Sequence, residues 1–462
     1  MHVPDWKGPL AEAFDQATDY LAGLPDRPVG PEATAEELHK EFGGPLPEQP
    51  HDPRLVVREL AAAAERGLLP SGSGRFFGFV FGGAIPAALA ADWLTVAWDQ
   101  NAGLYAAAPA AAVVEKVAGE WLAELFGLPP TVTAGFVTGA QMANFTALAA
   151  ARHEVLRRFG WDVERAGLTG APRIRVLVGA ERHDTIDRAV RFLGLGTDNL
   201  VPVPVDDQGR MRSDALGAVL AQEAGPAIVC AQVGNVNTGA IDPVGEICDV
   251  AHAAGAWVHV DGAFGLWAAV SPRLRPLLAG VERADSWATD AHKWLNVPYD
   301  SGLVFCAHPE AHRGAMTVRA GYLIHDDAGE RDPLDHNPEF SRRARGFAVY
   351  AAIRSLGRTG IVDLVERSCA LARRFAERLG ADDRVEVLND VVLNQALVRF
   401  LADDDVTRRV VQAVQDEGTC WMSGTTWQGR AAMRISVSNW STDESDVDRS
   451  VDAILGCLTA SS

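Results

Sequence analysis

The sequence predicts an α/β protein built on a largely parallel sheet, with helices ahead of it and a smaller α+β unit behind it. Three observations lead there. Between about 110 and 310, helical patterns such as "EKVAGEWLAELFG", "QMANFTALAAARHEVLRRF" and "VGEICDVAHAAG" alternate with short β-branched runs, "RIRVLVG", "AIVCAQ", "AWVHVD", "DSWATD" and "SGLVFCA". Such alternation builds parallel sheets through helical crossovers. From about 355 the texture changes to one long helical pattern, then strands "VEVL", "NQALVRF" and "AAMRISV", then the closing helix "ESDVDRSVDAILGCL". Before about 70, "PLAEAFDQATDYLAGL", "TAEELHKEF" and "PRLVVRELAAAAERGL" carry apolar residues at helical spacing between proline-bearing loops. The expected division is therefore a helical arm at 1–75, a large α/β domain at 76–355 and a small α+β domain at 356–462.

The chain of 462 residues is 48% hydrophobic and 22% charged, the balance of a soluble globular protein with room for more than one domain. Its formal net charge of −19 is spread along the sequence, which disfavours nucleic acid and anionic membrane and points to a small-molecule partner. Cys230, Cys248, Cys306, Cys369, Cys420 and Cys457 lie far apart with no CxxC pair. Neither a zinc site nor a disulfide framework is expected, and a reduced, cytoplasmic setting is. Asp5, Glu12 and Asp15 stand where a signal peptide would need a positive start and an apolar block. The uncharged, glycine-rich run Phe76 to Ala91 contains Pro86 and is shorter than the roughly 20 residues of a membrane span.

Four places carry chemistry. In "AWVHVDGAFG" side chains alternate, so His259, Asp261 and Ala263 share one face, and Asp261 ends the strand where open α/β sheets bind ligands. A carboxylate there can meet a cation or cap a turn. In "FVTGAQMANFTALAAAR" a β-like run meets Thr138, Gly139 and Ala140 and then a long helix, whose first N–H groups favour a phosphate. Thr138 or Gln141 would add a side-chain donor; an ordinary capped glycine turn is the other reading. His183 follows the strand "RIRVLV" just before a helix and is a cap unless other groups join it. Lys293, in "DSWATDAHKWLNVPYD", comes after its own strand at the same edge of the sheet. A lysine there can condense with an aldehyde, and low polarity near other cations would depress its pKa toward that task.

Together the four supply what pyridoxal 5′-phosphate requires: an amine for the aldehyde, an acid for the ring nitrogen, a flat group for the ring and a helix start for the phosphate. The motifs also resemble a family, the group II pyridoxal-phosphate decarboxylases, relatives of aromatic-L-amino-acid decarboxylase and glutamate decarboxylase. "HVDGAFG" is similar to HVDAAYAG, "DAHKW" to N/D-x-HKW, "NTGAIDP" to a TGAIDP loop, "EFSRRAR" to SRRxR, and "GYL" at 321–323 to the mobile-loop tyrosine. The resemblance runs from about 70 to the C-terminus. It implies the type I aminotransferase fold, with a mostly parallel seven-stranded sheet, and a homodimer with active sites at the interface.

By position, the resemblance makes Lys293 the amine that holds the cofactor, Asp261 the partner of the ring nitrogen, His183 the stacking residue and Ala263 the packing on the opposite face. Thr138, Gly139, Ala140, Gln141 and His292 surround the phosphate, Asn235 lies in a neighbouring loop, and Tyr322 returns a proton to the substrate carbon. The reaction implied is decarboxylation of an L-amino acid, aromatic or bulky and apolar, to the amine and CO₂. Phe79, Phe81, Asn101 and Tyr105 are expected to line its pocket.

The sequence departs from the family at Gln141-Met142, at Asn235, where threonine is common, and at Gly82, where a threonine can meet ring hydroxyls. Asn101 and Gly103 replace bulkier apolar groups of aromatic-specific relatives. Aldehyde-forming oxidation, aldol cleavage, transamination, or cofactor binding without turnover would use the same cradle. A metal-dependent hydrolase could draw on His183, His259, Asp261 and His292, but no HExxH cluster supports it and Lys293 would have no role, so no metal is expected.

Overall fold

The structure, a computed structural model, describes residues 5–317, 330–401 and 403–461. Strands β1 (Thr133–Val137), β2 (Arg175–Gly179), β3 (Leu200–Val203), β4 (Ala227–Gln232), β5 (Trp257–Asp261), β6 (Ser286–Asp290) and β7 (Gly302–Cys306) form a seven-stranded sheet in the order β1-β7-β6-β5-β4-β2-β3. The strands from β3 to β6 pair parallel, and β7 lies antiparallel to both β6 and β1. Strands β8 (Val385–Val387), β9 (Gln395–Phe400), β10 (Ser423–Trp427) and β11 (Arg430–Ser436) form a four-stranded antiparallel sheet in the order β10-β11-β9-β8. The expected α/β class and the mostly parallel seven-stranded sheet are both present.

Helices α1 (Lys7–Gly23), α2 (Ala35–Phe42) and α3 (Pro53–Ala64) precede the sheets. Thr34 and Glu37 close a capping box at the start of α2, and Asp52 caps α3 ahead of Pro53. These are the start signals that the sequence carries. Helix α4 (Pro86–Trp98) and α5 (Pro109–Phe126) follow, each opened by a proline whose missing N–H costs nothing at that position.

Two strands escape the sequence patterns. Strand β3, "LVPV", carries Pro202, which reads against a strand; it is tolerated because β3 is an edge of the sheet. Strand β10, "SGTTW", has no apolar alternation. Its signal is the turn: Gln428 and Gly429 both have positive φ, the two-residue geometry that joins hairpin strands, and Trp427 pairs with Arg430.

Strands β5 and β6 bury all five of their residues. Helices and loops cover both faces, so polar groups on these strands must find partners inside the protein. The carboxyl ends of β5 and β6 lie side by side, with Asp261 opposite Ala288, and the end of β1 joins them through Gly302, which pairs with Asp290 on one side and Val137 on the other.

Behind this edge sits a fully buried ion pair, Arg342 Nη1 to Glu115 Oε1 at 2.8 Å. Arg342 also donates to the carbonyls of Ala102 at 2.7 Å and Phe136 at 2.6 Å, so one guanidinium joins α5, the 102 loop and β1. Burial pushes the Glu115 carboxyl up, against the pull of Arg342 and Arg331. Nearby, Arg343 pairs with Asp92 and Arg345 with Asp300. Removing one partner of a buried pair leaves an uncompensated charge. Arg342→Ala is expected to lower the unfolding free energy by about 3–5 kcal/mol in denaturant titration, and a loss below about 1 kcal/mol would contradict this role.

Candidate active site

The edge built by β1, β5 and β6 gathers most of the expected residues. Helix α6 (Ala140–Arg158) begins directly after Gly139, and the Ala140 N–H donates to Asp290 Oδ1 at 2.6 Å. The same carboxylate receives Lys293, Nζ to Oδ2 at 3.0 Å, and faces His292 Nε2 at 3.4 Å. These groups meet because two glycine backbones touch: a Cβ on Gly302 would lie 2.3 Å from Gly139 Cα. His292 Nδ1 accepts the Ser301 N–H at 3.1 Å. Burial pushes this imidazole's pKa down, so the ring is neutral and carries its proton on Nε2, pointed into the cradle.

Asp261 is buried at the end of β5 and receives Asn144 Nδ2 and the Ala263 N–H, both at 3.3 Å. Burial pushes its carboxyl up, while the charges of His183 and Lys293 oppose that rise. A cation brought against this carboxylate would relieve the cost of burying it.

A chain of polar groups holds Asn144 in turn. Its Oδ1 meets His259 Nε2 at 2.9 Å, His259 Nδ1 meets Ser286 Oγ at 2.9 Å, and Trp257 Nε1 donates to Ser286 Oγ at 2.9 Å. Burial pushes the His259 pKa down to about 3, so its ring is neutral. With Asp261 ionised, the Asn144 amide must point its nitrogen there and its oxygen at His259. The imidazole proton is then on Nε2, and Nδ1 accepts the Ser286 hydroxyl. His259 therefore orients a neighbour within the interior; among the described residues no group of three or more His, Cys, Asp and Glu side chains is placed to hold a metal ion.

His183 occupies the junction expected of it and caps the helix Asp184–Phe192, its Nδ1 accepting from the Thr185 N–H at 3.3 Å. Burial pushes its pKa down, Asp261 resists, and Lys293 and Arg434 add to the lowering. Cap and site residue are the same ring. Gln141 spends its amide on the Thr185 carbonyl at 3.2 Å, joining α6 to that helix. Thr138 ends the run from β1 into Gly139. Ala263 follows Asp261, and its carbonyl accepts the Asp290 N–H at 2.9 Å.

Other expected residues are used differently. Asn235 donates to Glu181 O and Gln232 Oε1, both at 3.0 Å, and its Oδ1 accepts the N–H groups of Asn237 and Thr238, so its amide organises the loop after β4. The hydrogen bonds of the 101–105 segment run elsewhere: Asn101 Oδ1 accepts the Arg342 N–H at 3.1 Å, and the Tyr105 N–H reaches Asp332 at 2.8 Å. Phe79 and Phe81 join a file of rings. Phe79 lies 5.2 Å from Trp421 and 5.4 Å from Phe81, Phe81 lies 5.4 Å from Tyr299, and Tyr299 stacks on His292 at 4.2 Å. Tyr322 lies outside the described residues.

Four contributors carry no local motif: Asn144, Tyr299, Asn296 and Arg434. Asn144 stands one helical turn after Ala140, on the same face of α6, which is its one readable signal. Asn296 adopts a left-handed backbone at φ 56°, as asparagine tolerates, and its Oδ1 accepts the N–H groups of Gly83 at 2.6 Å and Trp440 at 2.9 Å. Gly82 owes its identity to this turn, because a Cβ there would lie 2.0 Å from the Lys293 carbonyl oxygen. Arg434, on β11, is buried, donates to Ser423 Oγ at 3.3 Å, and among the described residues leaves its Nε without a hydrogen-bond partner. Burial pushes its pKa down to about 10.

Known proteins are similar to this chain in sequence and fold. The pattern of the pyridoxal-dependent decarboxylase conserved domain matches residues 37–402. Tryptophan decarboxylase 1 of Oryza sativa subsp. japonica is 29% identical over 95% of this chain and 91% of its own. A tyrosine decarboxylase of the same plant is 31% identical over 82% of this chain and 73% of its own. Phenylacetaldehyde synthase of Petunia hybrida is 23% identical over 94% and 90%. The crystal structure of Oryza sativa TDC with PLP and tryptamine superposes with a TM-score of 0.93 at 27% identity, covering 100% of this chain and 99% of that one. A helix start behind a glycine, a buried acid that makes no salt bridge among the described residues and a lysine near both are groups suited to pyridoxal 5′-phosphate. With that fit and these likenesses together, the chain belongs to the pyridoxal-dependent decarboxylases, carboxy-lyases that act on amino acids with pyridoxal 5′-phosphate.

Proposed function

We propose that this protein decarboxylates an aromatic or bulky apolar L-amino acid to the amine and CO₂, with Lys293 as the amine that holds the cofactor's aldehyde carbon. One observation carries the reading: Asp261, His183 and Lys293 converge at the carboxyl edge of the sheet closely enough for each to act on the ionisation of its neighbours. The bound cofactor supplies an electron-accepting ring that takes up the pair left when CO₂ departs.

The chain's own residues do the rest. The Asp261 carboxylate, oriented by Asn144, keeps a proton on the ring nitrogen it faces. His183, fixed as a helix cap, offers a flat and uncharged face for stacking. The Ala140 N–H and the His292 Nε2–H point to where the phosphate belongs. Arg434 brings a buried guanidinium whose Nε is free to meet a substrate carboxylate. The rings of Phe79, Phe81 and Tyr299 favour an apolar side chain. Tyr322 is proposed to return the proton to the substrate carbon.

Formation of an aldehyde is the second reading, favoured by the similarity to phenylacetaldehyde synthase. We further infer a homodimer, because α1 and α4 leave Phe14, Leu21, Trp93, Leu94 and Trp98 exposed.

Lys293→Ala is expected to lose the borohydride-fixed cofactor and to release CO₂ at no more than the uncatalysed rate; wild-type turnover would exclude the role. Incubation with a panel of amino acids, read by mass spectrometry, is expected to yield amines from aromatic substrates. In the same assay Tyr322→Phe shifts product toward aldehyde, and an unchanged amine yield counts against its role as proton donor. Sedimentation is expected to give twice the 49.3 kDa chain mass, with a monomer as the contrary result.

A further inference from the structure

We propose that Asp290 occupies the anion cradle at the start of α6 when the cofactor is absent, and that its carboxylate must yield this place to the cofactor's phosphate. Two of its side-chain contacts are ones that a phosphate would use, the first N–H of a 19-residue helix at 2.6 Å and the His292 Nε2 at 3.4 Å, and a third, at 3.0 Å, is to the Lys293 ammonium that the cofactor's aldehyde would claim. The side chain is only 3% exposed. The protein thus carries its own anion where the helix dipole asks for one.

The backbone of Asp290 cannot withdraw. Its N–H donates to the Ala263 carbonyl at 2.9 Å, and its carbonyl accepts Trp267 Nε1 at 3.0 Å. Only rotation of the side chain can clear the Ala140 N–H. Even then a phosphate dianion arrives within a few ångströms of a carboxylate in a site with little water, where like charges repel strongly. Asp290 would therefore keep the empty cradle and Lys293 ordered, while weakening the hold on the phosphate compared with a neutral amide of the same shape.

This inference rests on the assignment of Lys293 to the cofactor, and the test separates the two. Cofactor-stripped wild type and Asp290→Asn are titrated with pyridoxal 5′-phosphate and with pyridoxal, which lacks the phosphate, following the absorbance of the bound chromophore. The variant is expected to bind the phosphorylated form about tenfold tighter or more, with pyridoxal affinity unchanged. Equal or weaker binding of the phosphorylated form overturns the inference, as does equal tightening of both ligands, which would place the effect on the lysine. Inorganic phosphate added to wild type is expected to leave its melting temperature unchanged because the cradle is filled; a clear rise overturns the inference even if the variant folds poorly. Borohydride reduction and peptide mapping of wild type serve as the control. An unlabelled Lys293 defeats the underlying assignment, whereas a labelled Lys293 with unshifted affinities defeats only the role of Asp290.

Discussion

The contact between the backbones of Gly139 and Gly302 is the constraint on which the site depends. Strand β7 enters antiparallel between β1 and β6, and its first residue touches the turn that begins α6. A side chain at Gly302 would push the start of α6 away from Asp290 and Lys293, and one at Gly139 would crowd the His292 ring at 3.1 Å. The helix start and the lysine are therefore positioned by the absence of atoms, and close backbone approach is the use to which glycine is best suited.

Around that contact the sheet buries two carboxylates and the polar groups that accompany them. Asp261, Asp290, His259 and Ser286 all lie on fully buried strands. Each is answered by a specific partner from another element, so the cost of removing it from water is offset without a charged partner for every charge. The result is directional. Asn144 turns its nitrogen toward Asp261 and the Thr185 hydroxyl and its oxygen toward His259, and this orientation sets the His259 tautomer. Rigidity of this kind is what a site needs if one carboxylate is to remain aimed at one ring atom.

Much of this was legible in the sequence wherever the signal was periodic or local. Alternation along "AWVHVD" put Asp261 on a defined face, and β-branched runs marked β2 and β4 to β7. His183 was legible as a cap, and the fold also sets it beside Asp261. What the sequence hid depends on distance. Arg434 approaches His183 from the second sheet, Tyr299 reaches this edge by stacking on His292, and Asn235 bonds within its own loop. No window of neighbouring residues contains these relations. Strand β3 was concealed by Pro202 and β10 by its polar composition, both cases in which position in the sheet outweighs propensity.

The fit of Gly82 against the Lys293 carbonyl has a consequence for how this scaffold can diversify. The chain at Gly82 is packed directly on the Lys293 peptide, and any larger residue there displaces that peptide first. Variation in this region is therefore left to neighbours such as Phe79 and Phe81, whose rings pack on one another and on Trp421 and Tyr299.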